Sequence, residues 1–212
     1  MTLIQPHDRI LFQGDSITDA FRKPDEINNA YQLGAGYVLL IAAQVLATRP
    51  RDELLFLNRG ISGQRAADLL ARWQTDCLEL QPTVLSLLVG VNDTAHYLGG
   101  NASAAPAEYG ATYRQLLELT RRATPTIRFI LCEPFVLRTG RVTEDWVRDL
   151  VVRRALVKDL AREYNAVFVP FQAAFDKAVT QTPAAYWSYD GVHPTAAGFG
   201  LMARVWLETV GA

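Results

Sequence analysis

The chain has 212 residues, half of them hydrophobic and 20% charged, with 21 Lys and Arg against 22 Asp and Glu. That length and balance suit one globular domain over residues 1–212, large enough for a sheet covered on both faces, with no compositional mark of disorder. A net charge of −1 gives no electrostatic footprint for nucleic acid or an anionic membrane surface, so neither partner is expected.

The first eight residues lack the basic segment and apolar run of a signal peptide, so no leader is expected. Residues 9–13 then read as a first strand, ended by Gly14. Residues 36–48 form an apolar helix closed by Arg49-Pro50; the apolar stretch inside it, 37–47, is too short to span a bilayer and is interrupted by Gln44. A second strand is predicted over 54–58, a helix over 65–80 stopped before Pro82, and a central strand over 83–89, the most continuous apolar run. Residues 106–122 are helical, 126–132 a fourth strand, and 143–164 a long helix with Thr143 at its N-cap and Glu144 and Asp145 in the first turn. A short fifth strand over 166–169 precedes a helix over 171–179 and a final helix over 195–209. Cys77 and Cys132 are the only cysteines and have neither metal-ligand nor redox spacing; two buried thiols in a reducing cytoplasm is the expected state.

Strands alternating with helices predict βαβ units, hence an α/β fold with a mostly parallel sheet and helices on both sides. In such sheets ligands bind beyond the carboxyl ends of the strands, near the topological switch point. The conspicuous polar residues do follow strands: Asp15-Ser16 the first, Gly60 to Gly63 the second, Asn92-Asp93 the third.

A serine at the strand end in Gly14-Asp15-Ser16-Ile17 can expose its hydroxyl beside free backbone N–H groups. It needs a base within hydrogen-bond reach and a third group to orient that base. Of the histidines, His7 lies at the wrong end of the first strand. His193 lies in Tyr189-Asp190-Gly191-Val192-His193-Pro194, where a carboxylate three residues away can reach Nδ1 while Nε2 faces the site. An acyl-transfer site also needs donors for the developing oxyanion, and Gly63 and the Asn92 amide are placed to supply them. Taken singly, these residues also fit a turn aspartate beside a surface histidine, a loop glycine and an Asn-Asp turn. Together and in order, each expected after its own strand, they fit acyl transfer.

With these residues in place the sequence resembles the SGNH (GDSL) hydrolases along nearly its whole length. Gly14-Asp15-Ser16-Ile17 matches the nucleophile block, Gly63 the glycine block, Asn92 the asparagine block, and Asp190-Gly191-Val192-His193-Pro194 the last. The resemblance implies a three-layer α/β/α sandwich on a five-stranded, flavodoxin-like parallel sheet. It implies Ser16 as nucleophile, His193 as base and acid, Asp190 as orienting carboxylate, and Ser16 N–H, Gly63 N–H and Asn92 as the oxyanion hole. No metal or cofactor is implied, and Asp15 braces the nucleophile turn.

Longer blocks, including Gly34-Ala35-Gly36-Tyr37-Val38 and Asn58-Arg59-Gly60-Ile61-Ser62-Gly63 with Ala71-Arg72-Trp73, look like bacterial intracellular acetylxylan (acetyl-xylooligosaccharide) esterases. The implied partner is a small acyl ester on a short sugar. Trp187, Tyr189 and Tyr97 are the aromatic residues expected to bind it, whereas Trp73, mid-helix, is expected to pack. A lysophospholipase- or thioesterase-type lipolytic hydrolase and a non-catalytic carbohydrate-binding module are the alternatives. The sequence leaves open a homo-oligomer and the shape of loops 18–33 and 133–142, where specificity is expected.

Overall fold

The computed structural model describes residues 3–24 and 30–212. The chain begins with β1 (Arg9–Gly14) and the short α1 (Ser16–Asp19), then a 3-10 turn at Ala30–Leu33, α2 (Tyr37–Thr48) and β2 (Leu55–Asn58). Next come α3 (Ala66–Ala71), α4 (Trp73–Asp76), a 3-10 turn at Leu78–Leu80, β3 (Val84–Leu88) and α5 (Val91–Leu98). The rest is a 3-10 turn at Ala102–Ala104, α6 (Pro106–Ala123), β4 (Arg128–Cys132), α7 (Glu144–Glu163), β5 (Val167–Val169), α8 (Phe171–Ala178), α9 (Ala184–Trp187) and α10 (Ala196–Val210). The strands form one parallel five-stranded sheet in the order β2-β1-β3-β4-β5. This is the flavodoxin-like order that the sequence implied.

Period-two alternation splits the core in two. Ile10, Phe12, Val84, Leu88, Ile130 and Cys132 face α2, α8 and α10, while Leu11, Leu85, Leu87, Phe129 and Leu131 face α3, α6 and the second half of α7. The three layers of an α/β/α sandwich follow directly. Ser86, fully buried in the middle of β3, is satisfied by the indole N–H of Trp206 at 3.1 Å, which ties α10 to the central strand.

All five predicted strands are present with ends shifted by a residue or two. One helical expectation needs correction. The continuous helix over 65–80 breaks at Arg72 and again at Cys77, whose backbones (φ −113, ψ 10 and φ −136, ψ −64) leave the helical path. The breaks turn Trp73 fully into the core, where its indole N–H donates to Thr120 Oγ1 of α6, and let Arg72 reach Gln64 and Asp76. Asn92 and Asp93 lie in the first turn of α5, a helix that the sequence reading did not include; residues that favour turns also favour helix starts. Thr143 does occupy the N-cap of α7, but its hydroxyl makes no capping bond. No helix among the described residues is long and apolar enough to cross a membrane.

Candidate active site

β1 lies between β2 and β3, so the chain leaves it on one side to form β2 and returns on the other to form β3. The crevice at that switch point receives Ser16 from the end of β1, Gly63 from the loop after β2 and Asn92 from the first turn after β3.

The turn that carries Ser16 is held from several sides. Asp15 caps α1 in extended geometry and accepts the Ile17 N–H at 3.0 Å, which is the bracing role expected for it. Gly14 is required by space: a Cβ there would stand 2.3 Å from the Leu88 carbonyl and 2.4 Å from Thr18 Oγ1. Burial raises the Asp15 carboxyl to about 7; the Ile17 N–H pulls it down and the charge of Asp93 pushes it further up.

His193 and Asp190 arrive on the turn between α9 and α10. Asp190 Oδ1 accepts the Val192 and His193 N–H groups at 2.9 and 2.7 Å, which curls the turn around its own carboxylate. Asp190 Oδ2 lies 2.8 Å from His193 Nδ1, and His193 Nε2 lies 2.9 Å from Ser16 Oγ. An ionised carboxylate only accepts, so Nδ1 carries the proton, Nε2 is the bare nitrogen, and the Ser16 hydroxyl donates to it. Burial pushes the Asp190 carboxyl up, but the bonds from the His193 N–H, the His193 ring and the Val192 N–H together hold it below the usual range. Ser188 Oγ donates to the His193 carbonyl at 2.8 Å and fixes the far side of the ring's backbone.

The Gly63 side of the crevice is a loop sewn to α1. Asn58 accepts the Gly60 N–H at 2.8 Å and donates to the Thr18 and Leu33 carbonyls. Arg22 Nε donates to the Gly60 carbonyl at 2.6 Å, Asp19 Oδ2 accepts the Ser62 N–H, and the Ile61 N–H donates to the Gly14 carbonyl. Gly63 then turns with φ +81, a left-handed backbone that favours glycine. Among the described residues the N–H groups of Ser16 and Gly63 have no hydrogen-bond acceptor. Asn92 Nδ2 donates to the Gln64 carbonyl at 3.0 Å, which fixes the amide and leaves its second hydrogen uncommitted. Next to it, buried Asp93 accepts the Ala66 N–H of α3; burial lifts its carboxyl to about 6 against the pull of Ala66 and Arg153.

A cavity of about 200 Å³ opens beside Ser16 and His193, walled by Phe21, Ser62, Tyr189, Pro194 and Phe199 among others. Tyr189 stacks on the His193 ring at 5.7 Å with 11° between planes. Trp187 is not at this cavity. It packs half-buried against the core and faces a separate hollow with Ala174, Lys177 and Val205, because the extended Ser188 between them sends Trp187 and Tyr189 to opposite sides. Tyr97, 40% exposed near the end of α5, does not line the cavity either. His7 pairs with Glu53 at the surface, away from the site.

Sequence reasoning passed over Asn58, Asp19, Arg22 and Phe21. Only Asn58 carried a readable signal, an asparagine two residues before a glycine at a strand end. Loop 133–142 also differs from expectation. It lines none of this cavity and instead braces the Asp190 turn, through Leu137 N–H to the Gly191 carbonyl and Arg141 N–H to the Asp190 carbonyl. Of loop 18–33, Asp19, Ala20 and Phe21 reach the cavity; residues 25–29 lie outside the described residues.

A parallel sheet with a serine, a histidine and a carboxylate converging at its switch point defines a class of α/β hydrolytic enzyme. The chain belongs to the GDSL-like lipase/acylhydrolase family, whose model matches residues 12–201, and is a carboxylic ester hydrolase. It is 33% identical over 209 residues to the acetylxylan esterase of Geobacillus stearothermophilus, covering 96% of this chain and 94% of that one. The solved structure of that esterase superposes with a TM-score of 0.89, covering 99% and 96% of the two chains at 33% identity. A candidate GDSL-like lipase from Parabacteroides merdae superposes with a TM-score of 0.93 at 43% identity, covering 98% and 97%. Solved variants of the Geobacillus esterase in which a serine, a histidine or an aspartate is replaced by alanine are named catalytic mutants.

Proposed function

We propose that this chain is a serine esterase that removes short acyl groups, acetyl above all, from a carbohydrate through a Ser16-His193-Asp190 triad and an acyl-enzyme. The observation that carries the reading is the unbroken hydrogen-bond relay from Ser16 Oγ to His193 Nε2 and from His193 Nδ1 to Asp190 Oδ2, at 2.9 and 2.8 Å. His193 takes the hydroxyl proton as Ser16 Oγ attacks the ester carbonyl, and the Asp190 carboxylate stabilises the resulting imidazolium. The carbonyl oxygen, becoming negative, is received by the Ser16 N–H, the Gly63 N–H and the Asn92 amide. As the intermediate collapses, the C–O bond to the alcohol breaks and His193 Nε2 delivers its proton to the departing oxygen. Water, deprotonated by the same imidazole, then attacks the acyl-Ser16 and releases the acid.

Two points support a small acyl group on a sugar. The relatives include an acetylxylan esterase, and the cavity beside Ser16, about 200 Å³, suits acetyl better than a long chain. Tyr189 is the aromatic wall of that cavity on the His193 side. Buried Cys77 and Cys132, whose thiols burial raises to about 12, suit a chain at work in the reducing cytoplasm.

The test is to assay the purified protein and Ser16→Ala with acetyl and octanoyl p-nitrophenyl esters and with acetylated xylooligosaccharides. Acetyl esters should be preferred and the variant inert while still folded. Octanoyl preference would favour a lipolytic enzyme instead, and normal turnover by Ser16→Ala would remove the nucleophile from the scheme.

A further inference from the structure

The turn leaving α1 holds two non-glycine residues in the left-handed region, Ala20 at φ 43 and Phe21 at φ 61. A side chain with a Cβ is disfavoured there, so glycine would suit the backbone better. Phe21 also leaves 90% of its surface exposed, more than any other large hydrophobic among the described residues. Neither backbone preference nor core burial accounts for a phenylalanine at this position. Such a combination at a site marks function more often than chance.

Phe21 is one of the residues that line the Ser16 cavity. Across the opening Tyr189, 62% exposed, lies parallel to the His193 imidazole. Phe21 therefore rises from the nucleophile's side of the mouth and Tyr189 from the base's side. Once a small acyl group is seated beside Ser16, the alcohol half extends past His193 Nε2, which has to protonate its oxygen, toward the exposed Phe21 and Tyr189. A pyranose chair presents several C–H groups on a face to aromatic rings, whereas a one- or two-carbon alcohol offers few.

We propose that Phe21 is a specificity-determining residue for the leaving alcohol, forming with Tyr189 a two-walled aromatic mouth that grips the C–H face of a pyranose. The inference rests on reading the site as a sugar acetylesterase. It moves the sugar-binding aromatic role from Trp187, which faces away, to a residue on the nucleophile's own turn.

The experiment compares Phe21→Gly and Phe21→Tyr with wild type on an acetylated methyl xyloside and on ethyl acetate. In Phe21→Gly the loss of kcat/KM on the sugar ester, carried by KM, should exceed the loss on ethyl acetate by at least about fivefold. Phe21→Tyr should recover most of it, and Tm of Phe21→Gly should not fall, since glycine fits φ +61. Equal losses on the two esters, or an unchanged KM for the sugar ester, overturns the proposal. A second arm titrates methyl xyloside into Ser16→Ala, with and without Phe21→Gly, and follows binding by NMR. Weakening by at least about fivefold supports the role, and equal affinity overturns it. Failure of wild type to cleave any acetyl ester strikes the assigned reaction, and the binding arm then decides the role of Phe21 by itself.

Discussion

The Arg141 guanidinium stands 3.5 Å from Asp190 Oδ2, the same oxygen that accepts the His193 Nδ1 proton. Arg141 is half exposed and also faces the Trp146 ring, so its charge is screened by water. Its main-chain N–H bond to the Asp190 carbonyl survives a side-chain change. Arg141→Gln should therefore lower kcat/KM by no more than about threefold, as expected for an exposed ion pair. A loss of a hundredfold in the same assay would mean that the guanidinium is needed for the chemistry.

Replacing the carboxylate itself should be far more damaging. Asp190→Asn puts an amide where only an acceptor works, so the imidazole can turn to the tautomer that presents N–H to Ser16. The expected fall in kcat is about 10³- to 10⁴-fold, with KM changed little. Steady-state kinetics at one pH checks it, and a loss below tenfold would leave Asp190 outside the triad.

Asn92 offers a separate measure of the oxyanion hole. Asn92→Ala removes the donor and the bond to the Gln64 carbonyl, and should cost about 10²- to 10³-fold in kcat but only about 1 kcal/mol of stability. Kinetics set beside a denaturant titration separates the two. A large stability loss with kcat intact would make Asn92 a loop brace.

Asp15 predicts a pH dependence of stability. Its folded-state pKa of about 7 lies above the ordinary 3.8, so the folded protein holds a proton that the unfolded chain releases earlier. The penalty for ionising it in place is absent below about pH 4, grows as pH rises through neutrality and is constant above. Asp93, raised to about 6, acts in the same direction. Asp15→Asn keeps an oxygen for the Ile17 N–H without the charge. Its Tm relative to wild type should thus climb by at least about 3 °C between pH 5 and pH 8. Parallel Tm curves would show that Asp15 ionises freely in the folded state.

The strands and the positions of Ser16, Gly63, Asn92, Asp190 and His193 were legible in the sequence. A run such as Val84–Leu88, apolar but for Ser86 because both faces of the strand are covered, reads as a buried inner strand. The misreadings have a common source. Residues 65–80 carry helical residues throughout, yet the path breaks at Arg72 because Trp73 is drawn to Thr120, 47 residues away. The helix at Val91–Leu98 went unread because propensity at Asn92-Asp93 cannot distinguish a turn from a helix start.

The sequence by itself determined the sheet, its order of elements and the reactive residue types, since periodicity and strand-end chemistry are local properties written in neighbouring residues. Tertiary structure alone decided which aromatic residues line the cavity beside Ser16 and what holds His193 and Asp190 in place. Trp187 and Tyr189 are two residues apart, and only the extended backbone at Ser188 sends one to the core and the other to His193. Phe21 gained its place from a left-handed turn, and loop 133–142 gained its from packing against Asp190, 49 residues beyond Arg141. Such contacts form between segments distant in the chain, where neither propensity nor spacing carries information about the partner.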